Sequence, residues 1–207
     1  MAAVIGDAMA AARSRVKAYG VSDLLLVGTV AGLFAGFLFI LANMYYTPTQ
    51  GLPAVAPFFA IGTIFYRDAM PEMTPAYAIV GLITHFSLSI AFGLTFALVL
   101  VPLFSHTRAL IVGAILYGGV LYVLNYQILG RLVFKFFDPS NPMGPNPVYA
   151  LFTHLVIFPL GLIPFFLTMV HRHGSAPAAH AAAQGVEGQE RATSPASGPE
   201  APTGTAH

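Results

Sequence analysis

Two histidines in this sequence lie within long, uncharged runs of apolar residues. His85 follows Leu-Ile-Thr at residues 82–84, and His154 follows Leu-Phe-Thr at residues 151–153. An imidazole in such a run could ligate a haem iron, hydrogen-bond a small ligand or hydrogen-bond a neighbouring helix. Ionisable residues within membrane-length segments are costly, and they are functional-site candidates by default. His85 and His154 are therefore the starting point for any chemistry in this chain.

Glycines and asparagines accompany the histidines at a recurring interval of seven or eight residues. The pairs are His85 with Gly93, His154 with Gly161, Gly36 with Asn43, and Gly118 with Asn125. Residues at this interval lie on nearly the same face of a helix. The repetition predicts two helical hairpins of the same design, related by a pseudo-twofold axis along the membrane normal.

Small residues on these faces are expected to form the contacts between helices. Helix packing in lipid depends on small side chains that let two backbones approach closely. Gly28, Gly32 and Gly36 recur every four residues, and Ser89 and Gly93 continue the face of His85. The predicted helix-packing residues are Gly28, Gly32, Gly36, Gly93, Gly118 and Gly161.

Four apolar runs must position these residues, and each is long enough to cross a bilayer. A membrane-spanning helix needs about 20 apolar residues. The runs are Leu24–Ala42, Tyr77–Phe104, Ala109–Leu129 and Val148–Val170. Because backbone groups must be paired within lipid and the runs do not alternate in polarity, each is predicted to be a helix. The predicted fold is an all-α integral membrane protein with four transmembrane helices.

Composition supports this fold and excludes several classes of function. Hydrophobic residues make up 57% of the chain and charged residues only 8%, against about 25% charged in a soluble domain. A net charge of +1 argues against nucleic acid as a partner. The lack of cysteine excludes disulfides, thiolate zinc sites and iron–sulfur clusters. With no paired carboxylates in the runs, we expect no catalytic residues, no metal site and no enzymatic activity.

The remaining segments divide the chain into three regions. Residues 1–20 form a segment in which Ala2–Tyr19 is expected to be a helix on the membrane surface. Residues 21–173 form the four-span membrane domain, and residues 174–207 are expected to be a disordered tail because they lack large apolar side chains. Between spans, Ala54–Tyr66 is too short to cross and is interpreted as re-entrant or interfacial, and Leu132–Phe137 as a second interfacial helix.

The distribution of basic residues predicts that both termini are cytoplasmic. Lysine and arginine are more frequent in the cytoplasmic loops of membrane proteins. Among the basic residues near the ends of the spans, placing the N-terminus inside puts five on the cytoplasmic side and three outside; they are Arg13, Arg15, Lys17, Arg108 and Arg172, against Arg67, Arg131 and Lys135.

The two histidines are expected to share one depth near the outer end of the bundle. His85 lies eight residues after Tyr77 and His154 seven after Pro147, about 12 Å and 10 Å along their helices. The pair could bind haem b axially, or could bind a quinone or small solute. It could also simply hydrogen-bond neighbouring helices. The candidate ligand-binding residues are His85, His154, Asn43, Asn125 and Ser89, with Tyr117, Tyr122 and Tyr126 contributing.

The string Thr84-His85-Phe86, followed by Ala91-Phe92-Gly93-Leu94, resembles the second helix of the YagU-like and related families. These are small bacterial membrane proteins of unknown function. Thr153-His154-Leu155 with Gly161 is similar to the matching motif of their last helix. The resemblance implies a four-span inner-membrane protein and transfers no activity. We therefore expect a non-enzymatic accessory or small-ligand-binding protein. A redox subunit and an oligomeric small-solute channel are the alternatives, and a membrane-protein partner or a second copy is the expected partner within the bilayer.

Overall fold

A computed structural model describes residues 2–104 and 106–170 of the chain. Every regular element in these two ranges is helical. Residues 171–173 at the end of the predicted membrane domain, and the predicted tail at 174–207, lie outside the described residues.

The described residues include six helices of 11 residues or more, and four of them are long and apolar enough to cross a membrane. In chain order they are α1 (Ala2–Tyr19), α2 (Val21–Gln50), α3 (Ala56–Tyr66), α4 (Pro75–Leu103), α5 (Thr107–Gly130) and α6 (Pro147–Val170). The four long helices are α2, α4, α5 and α6. The predicted four-span, all-α fold is confirmed, and the chain is a multi-pass membrane protein.

The two helices that carry the histidines begin in the same way. Each starts with a proline, Pro75 or Pro147, which has no N–H to leave unpaired in the first turn. The preceding residue caps the helix with its side chain. Thr74 accepts a hydrogen bond from Tyr77 N, and Asn146 accepts from two backbone N–H groups. This shared start places the two histidines at similar distances from their helix N-termini.

The contact between α2 and α4 is made largely by glycine and brings the two backbones together. A Cβ atom added to Gly93 would lie 2.6 Å from Gly32 Cα, and one added to Gly28 would lie 2.8 Å from Ala97 Cβ. A Cβ on Gly36 would lie 2.6 Å from Ser89 Cβ. The glycines on α2 and α4 therefore let these helices pack at a distance that no larger side chain allows.

Glycines serve the same purpose around α6. A Cβ atom added to Gly118 on α5 would overlap the backbone carbonyl of His154 and lie 3.2 Å from Pro159 Cγ. A Cβ atom on Gly161 would lie 2.9 Å from Ala35 Cβ on α2. The last span is therefore packed closely against both α5 and α2.

The N-terminal helix is present over the predicted residues and is attached to the bundle by an arginine. Arg15 Nη1 donates a 2.8 Å hydrogen bond to the carbonyl oxygen of Pro102, near the end of α4. The helix α4 ends at Leu103, the residue after Pro102. The position of α1 on a membrane surface stays a prediction.

The short helix α3 is present, and it packs against the first turns of α4. A Cβ atom added to Gly62 would lie 2.7 Å from Tyr77 O, and one added to Gly81 would lie 2.7 Å from the carbonyl carbon of Phe58. Tyr77 also donates a short hydrogen bond to Asp68, just beyond the end of α3. The helix is therefore fixed to α4 by two close backbone contacts and one polar contact.

The second predicted interfacial helix, Leu132–Phe137, is wrong in extent. Leu132 still belongs to the preceding helical stretch, and only Lys135–Phe137 forms a separate element, a single 3₁₀ turn. The N–H groups of Val133 and Phe134 both donate to Leu129 O, at 2.7 and 2.8 Å. This pairing closes the end of α5, so the chain leaves the helix before a new one could begin.

Candidate functional site

An apolar cavity of about 230 Å³ lies among α2, α3, α4, α5 and α6. Isoleucines from α3 and aromatic rings from α2, α4 and α6 form much of its wall. Its polar lining residues are His85, Ser89, Asn125, Tyr126 and His154. Four of the five predicted ligand-binding residues therefore line one cavity, and Asn43 does not.

His85 connects α4 to α2 by a hydrogen bond. Its Nε2 atom lies 2.8 Å from the carbonyl oxygen of Gly36, and the side chain is only 7% exposed. A carbonyl oxygen can only accept, so Nε2 must carry the proton. Ser89 donates to the backbone oxygen of His85 at 2.8 Å and so pairs within its own helix. The bond from His85 to Gly36 O is the kind of cross-helix hydrogen bond expected if His85 has a structural role.

His154 has the opposite tautomer. Its Nδ1 atom lies 2.7 Å from the carbonyl oxygen of Ala150 in its own helix, so Nδ1 carries the proton. In the neutral ring, Nε2 is then an unprotonated acceptor. Nε2 lies 3.5 Å from Nδ2 of Asn125 on α5, a distance at the long limit of a hydrogen bond. His154 thus presents a lone pair beside an amide donor.

His154 and Asn125 both lie in π-helical segments. His154 lies in Thr153–Ile157 of α6, and Asn125 lies in Val123–Gly130 of α5. Such wide turns are rare, and they often mark functional sites. In α6 the cause is local, because Pro159 has no N–H to donate to the carbonyl four residues earlier. Pro159 is therefore a signal in the sequence for a distortion next to His154.

Three aromatic rings surround the imidazole of His154. Their centroids lie 4.9 Å (Phe39), 5.5 Å (Tyr126) and 5.9 Å (Tyr122) from the imidazole centroid, each edge to face. The side chain of His154 is only 5% exposed. An imidazole enclosed in this way is held in one orientation, which is the condition for a specific hydrogen bond to a ligand.

Asn43 and Tyr117 do not line the cavity, and each donates a hydrogen bond to a backbone oxygen. Asn43 donates to the carbonyl oxygen of Phe39, one turn earlier in its own helix, at 2.8 Å. Tyr117 donates across to Phe92 O at 3.0 Å. Asn43 and Asn125 are therefore not equivalent, although their sequence spacing is the same.

The two histidines do not fit a bis-histidine haem site in this arrangement. Nε2 of His85 already donates to a backbone oxygen, so it has no lone pair for iron. The ring of Phe39 contacts both imidazoles, with centroids 6.1 Å from His85 and 4.9 Å from His154. The cavity of about 230 Å³ is also smaller than the roughly 300 Å³ at which drug-sized ligand pockets begin.

Among residues 2–104 and 106–170, no group of three or more His, Asp or Glu residues is placed to hold a metal ion. The polar groups that line the cavity are two imidazoles, one amide, the Ser89 hydroxyl and the Tyr126 phenol, without a carboxylate. Such a set suits hydrogen bonding better than the four-ligand coordination that zinc prefers.

The fold and the site define a four-span helical membrane protein with a small apolar cavity and one polar pair in its wall. Comparison with protein-family models, with curated proteins and with solved structures finds no match for this chain.

The segment after α5 contains Phe134 and Phe137, whose rings line the cavity. It ends in a turn whose stability depends on pH. Ser140 donates to Asp138 Oδ1 from its backbone N, at 2.9 Å, and from Oγ, at 2.7 Å. These bonds hold the pKa of Asp138 below its usual range, and Arg131 and Lys135 add a smaller effect of the same sign. Because the folded pKa is lowered, the turn is stabilised above the ordinary carboxyl pKa. This stabilisation is lost as pH falls through the folded value.

We expect Ser140→Ala to raise the pKa of Asp138 towards its ordinary range, because one of the two donors is removed. The shift will be partial, since the backbone N–H remains. A ¹³C NMR titration of the aspartate carboxyls in micelles measures it, with Ser22→Ala as the control at a distant exposed serine. An unchanged Asp138 titration would show that the Oγ contact does not form.

Proposed function

We propose that this protein is a non-enzymatic membrane protein that binds a small apolar molecule through an oxygen-bearing head group of the quinone class. The observation that carries the proposal is the pair of His154 Nε2 and Asn125 Nδ2, 3.5 Å apart, in the wall of an apolar cavity. Ligand sites are typically apolar, with a few polar groups that fix the orientation of the ligand. The pair supplies one acceptor and one donor for that purpose.

The size of the cavity favours a single ring with short substituents. An apolar cavity of about 150 Å³ in another protein holds benzene. At about 230 Å³, this cavity has room for a substituted ring, and its aromatic wall suits the face of such a ring. The channel hypothesis has less support, because His85 and Ser89 bond to backbone oxygens and His154 pairs with Asn125.

We expect duroquinone, a single ring with four methyl groups, to bind the purified protein in nanodiscs with one-to-one saturation. Asn125→Leu preserves the size of the side chain but removes the donor, and it should weaken binding about tenfold. Gln127→Leu is the matched control, because Gln127 lies in the same π-helical segment and bonds to Tyr122 and Arg131. Isothermal titration calorimetry measures all three proteins.

Uptake that rises linearly without saturation would indicate partition into lipid and would contradict the proposal. Equal affinity of the wild type and Asn125→Leu would contradict the assigned position of the ligand. Circular dichroism of both variants checks that the helices are retained.

The proposed setting is a bacterial inner membrane with both termini in the cytoplasm, and the protein is proposed to be related to the YagU-like families. The excess of basic residues on one side of the four spans supports the orientation. The histidine and glycine motifs of α4 and α6 support the relationship. A membrane-protein partner or a second copy of the chain is part of the same proposal.

A further inference from the structure

We infer that the head group recognised by this site is a hydroxyl, which bridges His154 and Asn125, and that the site prefers a hydroxyl to a carbonyl or ether oxygen. This inference rests on the proposed function and specifies its ligand class. A hydroquinone, a phenol or an alcohol would bind more tightly than the corresponding quinone or ether.

The tautomer of His154 determines what the ligand must provide. Nδ1 is committed as a donor to Ala150 O at 2.7 Å, so Nε2 can only accept. A ligand that hydrogen-bonds to Nε2 must therefore donate. A carbonyl or ether oxygen cannot donate, and it would direct its lone pairs at the lone pair of the imidazole.

Asn125 supplies the complementary requirement. Its Nδ2 group faces Nε2 at 3.5 Å, which is long for a direct bond between two side chains. A group that accepts from Asn125 and donates to His154 would satisfy both side chains more fully than they satisfy each other. A hydroxyl has one donor and two acceptor lone pairs, so it meets both requirements with a single oxygen.

The aromatic rings around His154 strengthen the preference for a hydroxyl. The rings of Phe39 and Tyr126 contact the imidazole, at centroid distances of 4.9 and 5.5 Å, and the side chain is 5% exposed. Water therefore has little access with which to compensate for a mismatched ligand. In a buried site, a polar group left without its partner loses the full desolvation energy, so selectivity against the wrong oxygen is large.

A pair of ligands that differ only in the donor proton tests the inference. We expect 4-propylphenol to bind the wild type at least about tenfold more tightly than its methyl ether, 4-propylanisole. His154→Phe keeps a ring of similar shape and removes the acceptor. The phenol should then bind no more tightly than the ether, while the affinity for the ether should be unchanged or improved.

The ¹⁵N NMR spectrum of histidine-labelled wild type gives an independent readout that does not depend on a variant. The phenol should shift the Nε2 resonance of His154 as a new hydrogen bond forms, and the ether should not. The resonances of His85 serve as the internal control, because its Nε2 is already bonded to Gly36 O.

The outcomes separate the two proposals. If both ligands bind with equal affinity and neither shifts Nε2 of His154, the cavity binds apolar rings but the hydroxyl inference is wrong. If neither ligand saturates, the proposed function fails, and this inference fails with it. If the phenol is preferred and the preference survives in His154→Phe, His154 is not the acceptor.

Discussion

Adding one methyl group at Gly93 is expected to destabilise the bundle by about 1–3 kcal/mol, the usual cost of overpacking a close contact. The new Cβ atom would lie 2.6 Å from Gly32 Cα and 2.7 Å from Gly32 N, and it would also overlap Gly28 O. These are backbone atoms of α2, and no side-chain rotation can move them away. Gly93→Ala must therefore push α4 away from α2, which separates the pair of helices that carries the His85–Gly36 hydrogen bond.

Gly119→Ala is the matched control for this substitution. It makes the same change in a membrane-spanning helix, but there the nearest atom to the added Cβ would be Cδ2 of Leu155, at 3.4 Å, at the end of a flexible side chain. Thermal unfolding in one detergent, followed by circular dichroism, compares the variants with the wild type. We expect Gly119→Ala to melt within a few degrees of the wild type and Gly93→Ala well below it. Equal melting temperatures would contradict the close contact of α2 and α4.

The course of the backbone through the bilayer could be predicted closely from the sequence. A long uncharged run has no option in lipid other than a helix, so run lengths translate directly into spans. The third run was predicted to end at Leu129, and α5 ends at Gly130. The helix-packing glycines follow the same logic. Gly28, Gly32 and Gly36 all face α4, because only a face of small residues permits such a close approach.

The different hydrogen-bond partners and tautomers of the two histidines could not be predicted from the sequence. Their sequence contexts match, and the predicted repeat makes them equivalent. The difference depends on which backbone carbonyl each ring reaches, Gly36 O across the interface or Ala150 O within the helix. That choice depends on local changes of register, and helical periodicity assumes a constant 3.6 residues per turn.

The same limitation explains Asn43 and Asn125. The sequence predicts both as ligand-binding residues beside the histidines. In α2 the helix is regular at Asn43, and the amide bonds back to Phe39 O at 2.8 Å. In α5 a π-helical segment from Val123 to Gly130 contains Asn125, which lies at the cavity. A π-helical segment without a proline leaves no clear mark in a hydropathy pattern, so this part of the site required the structure.

The second large effect is expected at Gly81, where a leucine should detach α3 from the bundle and open the cavity. A Cβ atom at Gly81 would overlap Phe58 O and lie 2.7 Å from its carbonyl carbon and 3.0 Å from Gly62 N. A leucine adds three further carbons to that overlap. Ile61 and Ile64 of α3 line the cavity, so the loss of this contact removes part of its wall. We expect hydrogen exchange in α3 to accelerate at least about tenfold and ligand affinity to fall by a similar factor.

Ala76→Leu is the matched control, because it places the same side chain at an exposed position of α4. It should leave both exchange and binding unchanged. Exchange in α2, α5 and α6 distinguishes local detachment from general unfolding, since those helices should stay protected in Gly81→Leu. If α3 exchanges faster while duroquinone binding is unaffected, the wall formed by α3 is not needed by the ligand. The site would then consist of the His154–Asn125 pair and the rings around it. If neither quantity changes, the close backbone contact between Gly81 and Phe58 is not present in the membrane.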